Sequence, residues 1–83
     1  MNLFSIIKEK IQKNIAAENL IVEDKTFLHT KHSSHKEGKF HLKLTIYSLE
    51  LKKLSKINAT KKIYQILNHE MKQYIHSIQI LII

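Results

Sequence analysis

Cysteine, proline and arginine are absent from this chain, and glycine occurs once, at Gly38. Without cysteine the chain forms no disulfide. It also supplies no thiolate metal ligand, no redox thiol and no cysteine nucleophile. That composition fits a reducing compartment. The scarcity of proline and glycine argues against a disordered linker, so most of the chain is expected to be ordered. All 14 basic residues are lysine, so the planar guanidinium fork that reads guanine and clamps phosphate is missing. No apolar run reaches the roughly 20 residues of a membrane span. The closing "IHSIQILII" is short and carries His76 and Gln79. The opening "MNLFSIIKEK" places its basic residues after its apolar ones, and no small-residue cleavage site follows, so no secretory signal is read. A cytoplasmic protein with no membrane partner is expected.

What is present in quantity is lysine, isoleucine and histidine. The 83 residues suit one small domain, 1–83, which must use its apolar residues well to be stable. The formal net charge is +7, unevenly spread: residues 1–38 hold six lysines against five acids, and residues 39–83 hold eight against Glu50 and Glu70 alone. Such an excess attracts phosphate polyanions or an acidic protein, and it also keeps a small protein soluble.

The pattern predicts a helix over 2–17, where Leu3, Ile7, Ile11 and Ile15 recur every four positions and Asn2 or Ser5 can cap the start. "ENLIVEDKTF" reads as a short strand. Residues 28–38 are polar and His-rich and read as a loop. "FHLKLTIYS" alternates, with Leu42, Leu44 and Ile46 on one face and His41, Lys43, Thr45 and Tyr47 on the other. "LELKKLSKI" reads as a turn becoming a short helical piece. A second helix follows, with Ile63, Ile66, Leu67, Met71 and Tyr74 at helical spacing and Ser55 or Asn58 as its cap. The last segment alternates again, placing His76, Ile78, Ile80 and Ile82 on one face and Ile75 on the other. The expected class is α+β, in the order α-β-β-α-β with a short extra helical turn (αββααβ). The sheet is three-stranded and mixed, with the helices on one face.

Chemistry centres on histidine. Four of the six fall between Phe27 and Ser48: His29, His32, His35 and His41. "HTKHSSH" offers three at i, i+3 and i+6, but a structural zinc site takes four ligands, usually including cysteine, from separated knuckles. All three crowd one loop, so a solvated His-rich loop is preferred over a self-contained zinc site. Ser33 and Ser34 beside His32 and His35 do not amount to a base, an orienter and an oxyanion hole. No paired carboxylates and no phosphate-binding glycine loop occur. No catalytic residue is assigned, and the chain is read as a non-enzyme. His76, opening the last strand, is either a core-edge histidine bonded to backbone or a ligand held at the rim.

The ordered set "HSSHKEGKFHLKLTIYS", "KKIYQIL" and "YIHSIQI" resembles the BolA family, from about residue 26 to the end. The shared elements are a loop His (His32), a His at the start of a strand ending in Ser (His41, Ser48), a Tyr in the next helix (Tyr64), and an Ile-His close at Ile75 to Ile78. The resemblance implies a fold similar to type II KH domains. It implies a monothiol glutaredoxin as heterodimer partner, with a bridging [2Fe-2S] cluster shared with that partner and glutathione. The implied ligands are His76 and His32, with His29 as the alternative loop ligand. Imidazole is an acceptable iron ligand, and a site completed across an interface lets a cysteine-free chain take part. The isolated chain is expected to be monomeric and to hold no cofactor. Roles in iron–sulfur trafficking, iron or redox regulation, stress response and transcription regulation go with the family. The sequence departs from it where Arg-His-Arg is usual, here Ala59, Thr60 and Lys61, and where Phe-x-Gly is usual, here Leu51, Lys52 and Lys53. These changes weaken the alternative reading, a KH-like regulator binding DNA or RNA. That alternative rests on Lys52, Lys53, Lys56, Lys61 and Lys62.

Overall fold

The computed structural model describes residues 2–26 and 39–83. His29, His32, His35 and Gly38 therefore lie outside the described residues. Helix α1 (Leu3–Asn14) starts where Asn2 accepts a 2.9 Å hydrogen bond from Ser5 N–H. The chain is already extended at Ile15, three residues short of the expected end, yet Ile15 stays buried beside Ile7 and Ile11. Strand β1 (Asn19–Asp24) runs antiparallel to β2 (Phe40–Tyr47). A helical crossover then returns the chain so that β3 (Ile75–Ile82) lies parallel to β2. The sheet order is β1-β2-β3, with β2 central.

The crossover contains three helices. The ambiguous "LELK" is α2 (Leu49–Lys52), capped by Ser48, whose hydroxyl accepts from Leu51 N–H at 3.2 Å. The expected long helix divides at Leu67 into α3 (Lys56–Ile66), capped by Ser55, and α4 (Asn68–Gln73). Leu67 itself remains fully buried. Beyond the break the inward position is Glu70, 3% exposed, whose carboxylate meets Lys10 Nζ of α1 at 2.6 Å. This tie between the first helix and the last was invisible to local pattern. Met71 is half-buried and packs against the core, while Tyr74 is exposed, so the predicted helical stripe stops short of its last member.

Helices cover one face of the sheet. Ile7, Ile11 and Ile15 of the α1 segment and Ala59, Ile63 and Leu67 of the α3 segment pack on Leu20, Leu42, Leu44, Ile46 and Ile75. Each fully buried aliphatic side chain contributes about 1.5–3 kcal/mol relative to exposure. The alternation expected of β2 places Leu42, Leu44 and Ile46 in this core.

In β3 the expected faces need correction. Phe40 pairs with Ile75 but His41 pairs with Ser77, so His76 is an extra residue in β3, a β-bulge. The bulge shifts the phase by one. Ile75 therefore joins Ile78, Ile80 and Ile82 against the core, and His76 is exposed. A strict period of two had put Ile75 on the opposite face from the other three.

Two polar anchors fix the ends of the sheet. Ser48 is buried; besides capping α2 it donates to Ala16 O at 2.7 Å, while Ala16 N–H donates to Glu50 at 2.8 Å. At the other end Glu23 sits 2.9 Å from Lys25 and opposite Lys43. The hydrogen bond and charge of Lys25, with Lys43 beyond, hold its carboxyl below the ordinary value. That contribution is present above the unfolded-state pKa and fades as pH falls through the folded one.

Ser48→Ala removes a cap and leaves Ala16 O without its donor. We expect a loss of about 1–3 kcal/mol in urea unfolding, with an unchanged urea m-value.

Candidate functional site

The bulge creates the site. Parallel pairing of β2 with β3 sets the first inward turn of one beside the start of the other, and the extra residue swings His76 toward His41. The two imidazole rings lie 4.8 Å apart between centroids, tilted by 52°. His41 is 6% exposed and His76 is exposed. Nδ1 of His41 shares a 2.7 Å hydrogen bond with Ser77 Oγ, its register partner in β3. A buried imidazole held in this way is a fixed wall, and the exposed one beside it is free to meet another molecule.

The His-rich connection starts and ends here. Thr26 N–H donates to Asp24 Oδ1 at 2.9 Å, an Asx turn that ends β1. The Thr26 hydroxyl accepts from His41 N–H at 3.1 Å, and Lys25 N–H donates to His41 O at 2.7 Å. On the returning side Phe40 N–H donates to Tyr74 O at 2.9 Å. Thr26 and Phe40, described residues on either side of this connection, thus both lie beside the residue that packs against His76. The proposed ligands His32 and His29 belong to this connection, outside the described residues. Among the described residues no group of three His, Asp or Glu could hold a metal ion. What the described residues offer at this point is the exposed imidazole of His76, on a strand, where the chain enters and leaves a segment whose sequence bears three more.

The lysines of the alternative site are separate from this. Lys52 and Lys56 line one groove of about 310 Å³ between α2, α3 and β3, with Leu51, Leu54, Ala59 and Ile80. Lys53 and Lys61 are exposed nearby in sequence. Lys62 is engaged by Glu50 at 3.7 Å.

The BolA-like protein family model matches residues 11–83. The chain belongs to the BolA-like family. Among curated proteins it is similar to the DNA-binding transcriptional regulator BolA of Haemophilus influenzae, 33% identical over 78 residues that span 94% of this chain and 73% of that protein. Among solved structures it is similar to BolA1 from Arabidopsis thaliana. The TM-score is 0.83 at 22% identity, over 99% of this chain and 90% of that one. It is also similar to the BolA domain of SufE1 from the same plant. There the TM-score is 0.80 at 26% identity, over 99% and 92%. The small α+β domain expected from the sequence, with its three-stranded mixed sheet, is the BolA fold. No helix among the described residues of this BolA-like chain is long and apolar enough to cross a membrane.

The alternation places His41 on a strand and gives no sign of its contact with His76. Its place against His76 follows from parallel pairing plus a bulge, and neither has a local signature. The available signal was positional: in an α-β-β-α-β order the starts of the second and third strands adjoin. Ser77→Ala should cost about 1–2 kcal/mol, because His41 loses its hydroxyl partner in a buried setting. His76→Ala, at an exposed bulge, should stay within about 1 kcal/mol of wild type. Chemical denaturation of both variants checks the difference.

Proposed function

We propose that this chain is a non-enzymatic accessory protein that pairs with a monothiol glutaredoxin and co-ligates a bridging [2Fe-2S] cluster. The observation that carries this reading is the exposed His76 imidazole, held at a strand bulge against buried His41 where the His-rich connection is rooted. That donor set suits a cluster completed across an interface. It is too small for a self-contained metal site, so a partner would have to supply the remaining ligands. His76 would hold the cluster from the strand, and His32, or His29, from the connection. When bound, the cluster supplies one-electron redox and transferable iron and sulfide, with imidazole ligation raising its potential relative to all-thiolate ligation. The chain's own part is positional. Ser77 holds His41, His41 packs on His76, and the bulge keeps the His76 ring off the helix-covered face.

Co-expression with a monothiol glutaredoxin, followed by loading with iron and sulfide, should give a heterocomplex whose visible spectrum differs from that of the glutaredoxin alone. His76→Ala should abolish that difference, and His32→Ala should weaken or abolish it. Unaltered heterocomplex spectra from both variants would overturn the ligand assignment.

A second reading, a regulator that binds nucleic acid, is favoured by one observation. Lys52, Lys53, Lys56 and Lys61 have no ion-pair partner among the described residues, and the similar Haemophilus protein is named a DNA-binding transcriptional regulator. On this reading affinity for duplex DNA falls steeply with salt, and each lysine removed from this cluster lowers the log–log slope by about one. Fluorescence anisotropy at several salt concentrations reads that slope. A slope unchanged by Lys52→Ala and Lys56→Ala counts against this reading.

A further inference from the structure

Among the described residues the outer edge of β3 is unpaired. The strand is eight residues long, Ile75–Ile82, and among the described residues its one hydrogen-bonded neighbour in the sheet is β2. Ile83 N–H donates to Ile46 O at 2.9 Å, and Ile83 O accepts from Ser48 N–H at 3.2 Å. In a parallel ladder a residue turns both backbone groups to the same side, and the next residue turns them away. Ile83, Leu81 and Gln79 therefore face β2, while Ile82, Ile80 and Ile78 present N–H and C=O outward. Among the described residues nothing bonds to them. Natural edge strands are guarded by charge, proline or shortness. From Ser77 to Ile83 this one has no charged residue and no proline, and its bulge lies at the far end.

Beside that edge runs the groove of about 310 Å³. Leu51, Leu54, Ala59 and the side chains of Ile80 and Ile82 form its apolar lining, and Lys52 and Lys56 supply its charge. Leu54 is 40% exposed, an apolar surface left open next to unsatisfied backbone. Glu50, the one acid of this region, is already bound to Ala16 N–H and near Lys62.

We propose that β3 and this groove together dock an extended segment of a partner protein, which adds to the sheet as a fourth strand. Strand addition supplies main-chain hydrogen bonds at Ile80 and Ile82. Alternate side chains of the added strand enter the groove, and they must be aliphatic to suit its lining. Lys52 and Lys56 select acidic residues at the ends of that aliphatic run. A second copy of this chain is disfavoured, because each copy brings a net charge of +7 and the same two lysines to the contact. Single-stranded nucleic acid would leave the outward backbone groups poorly matched, and no aromatic side chain lines the groove for a base to stack on. The proposal is independent of the cluster reading, which concerns the His76 end of β3.

The test uses the full chain and the capped peptide Glu-Glu-Val-Ser-Val-Ser-Val-Glu-Glu, with amide hydrogen exchange followed by NMR. Protection is expected at the Ile80 and Ile82 amides, with no change at His76. The same peptide with lysine in place of glutamate should bind at least about tenfold more weakly, and the double variant K52E/K56E should reverse that preference. Ile80→Pro removes an outward N–H at an edge position where proline is tolerated and should abolish binding; if it unfolds the protein, K52E/K56E carries the test. Unchanged exchange at Ile80 and Ile82 overturns the proposal, as does equal binding of both peptides. Protection by an oligothymidylate at lower concentration than the peptide assigns the edge to nucleic acid instead. Protection that rises with protein concentration alone assigns it to a second copy.

Discussion

One extra residue in β3 organises the end of the sheet where His41 and His76 meet. The pairing of Phe40 with Ile75 and of His41 with Ser77 leaves His76 without an opposite number. An unbulged strand would have to choose between burying Ile75 and burying Ile78, Ile80 and Ile82, because side chains alternate strictly. The bulge removes that conflict and lets all four pack on the helix-covered side. Its by-product is an imidazole displaced from the regular pleat and set against His41. Core packing and the exposure of His76 beside His41 are thus consequences of the same irregularity.

The rest of the site is arranged around His41 rather than around His76. His41 is buried, bonded to Ser77 through its ring, and tied through its backbone to Lys25 and Thr26. These bonds bring the end of β1, the start of β2 and the start of β3 to one point. A histidine that acts as a ligand needs an orientation held by its surroundings. The strand and the packed ring give His76 such surroundings without a dedicated carboxylate. The opposite end of β3 has a different character, with an open edge and uncompensated lysines. Two distinct surfaces therefore share one strand.

Much of the fold was legible locally. Period-four isoleucines gave α1, clean alternation gave β2, and Asn2, Ser48 and Ser55 sit at helix caps. Three features were not legible locally. The second helix breaks at Leu67 although no proline or glycine is there. The ion pair between half-exposed Lys10 and buried Glu70 joins residues sixty positions apart, beyond the reach of any window. His76 was placed in phase with Ile78 because a bulge adds one residue without changing composition. Of the candidate site, His76 was named from its strand-opening position and its family frame. Its contact with His41 required knowing which strand lies beside which.

The sequence by itself determined the class of chemistry and the list of elements. With no cysteine and six histidines, thiolate ligation by this chain is excluded and imidazole is its most abundant nitrogen ligand. With periodic isoleucine and scarce glycine, it must fold as packed helices on a sheet. Tertiary structure decided adjacency: the parallel return of β3, the bulge that aims His76, and the edge that β3 leaves open beside Lys52 and Lys56. The reason is that local patterns encode which face of an element is apolar, whereas register and neighbours are settled only when all apolar faces compete for one core.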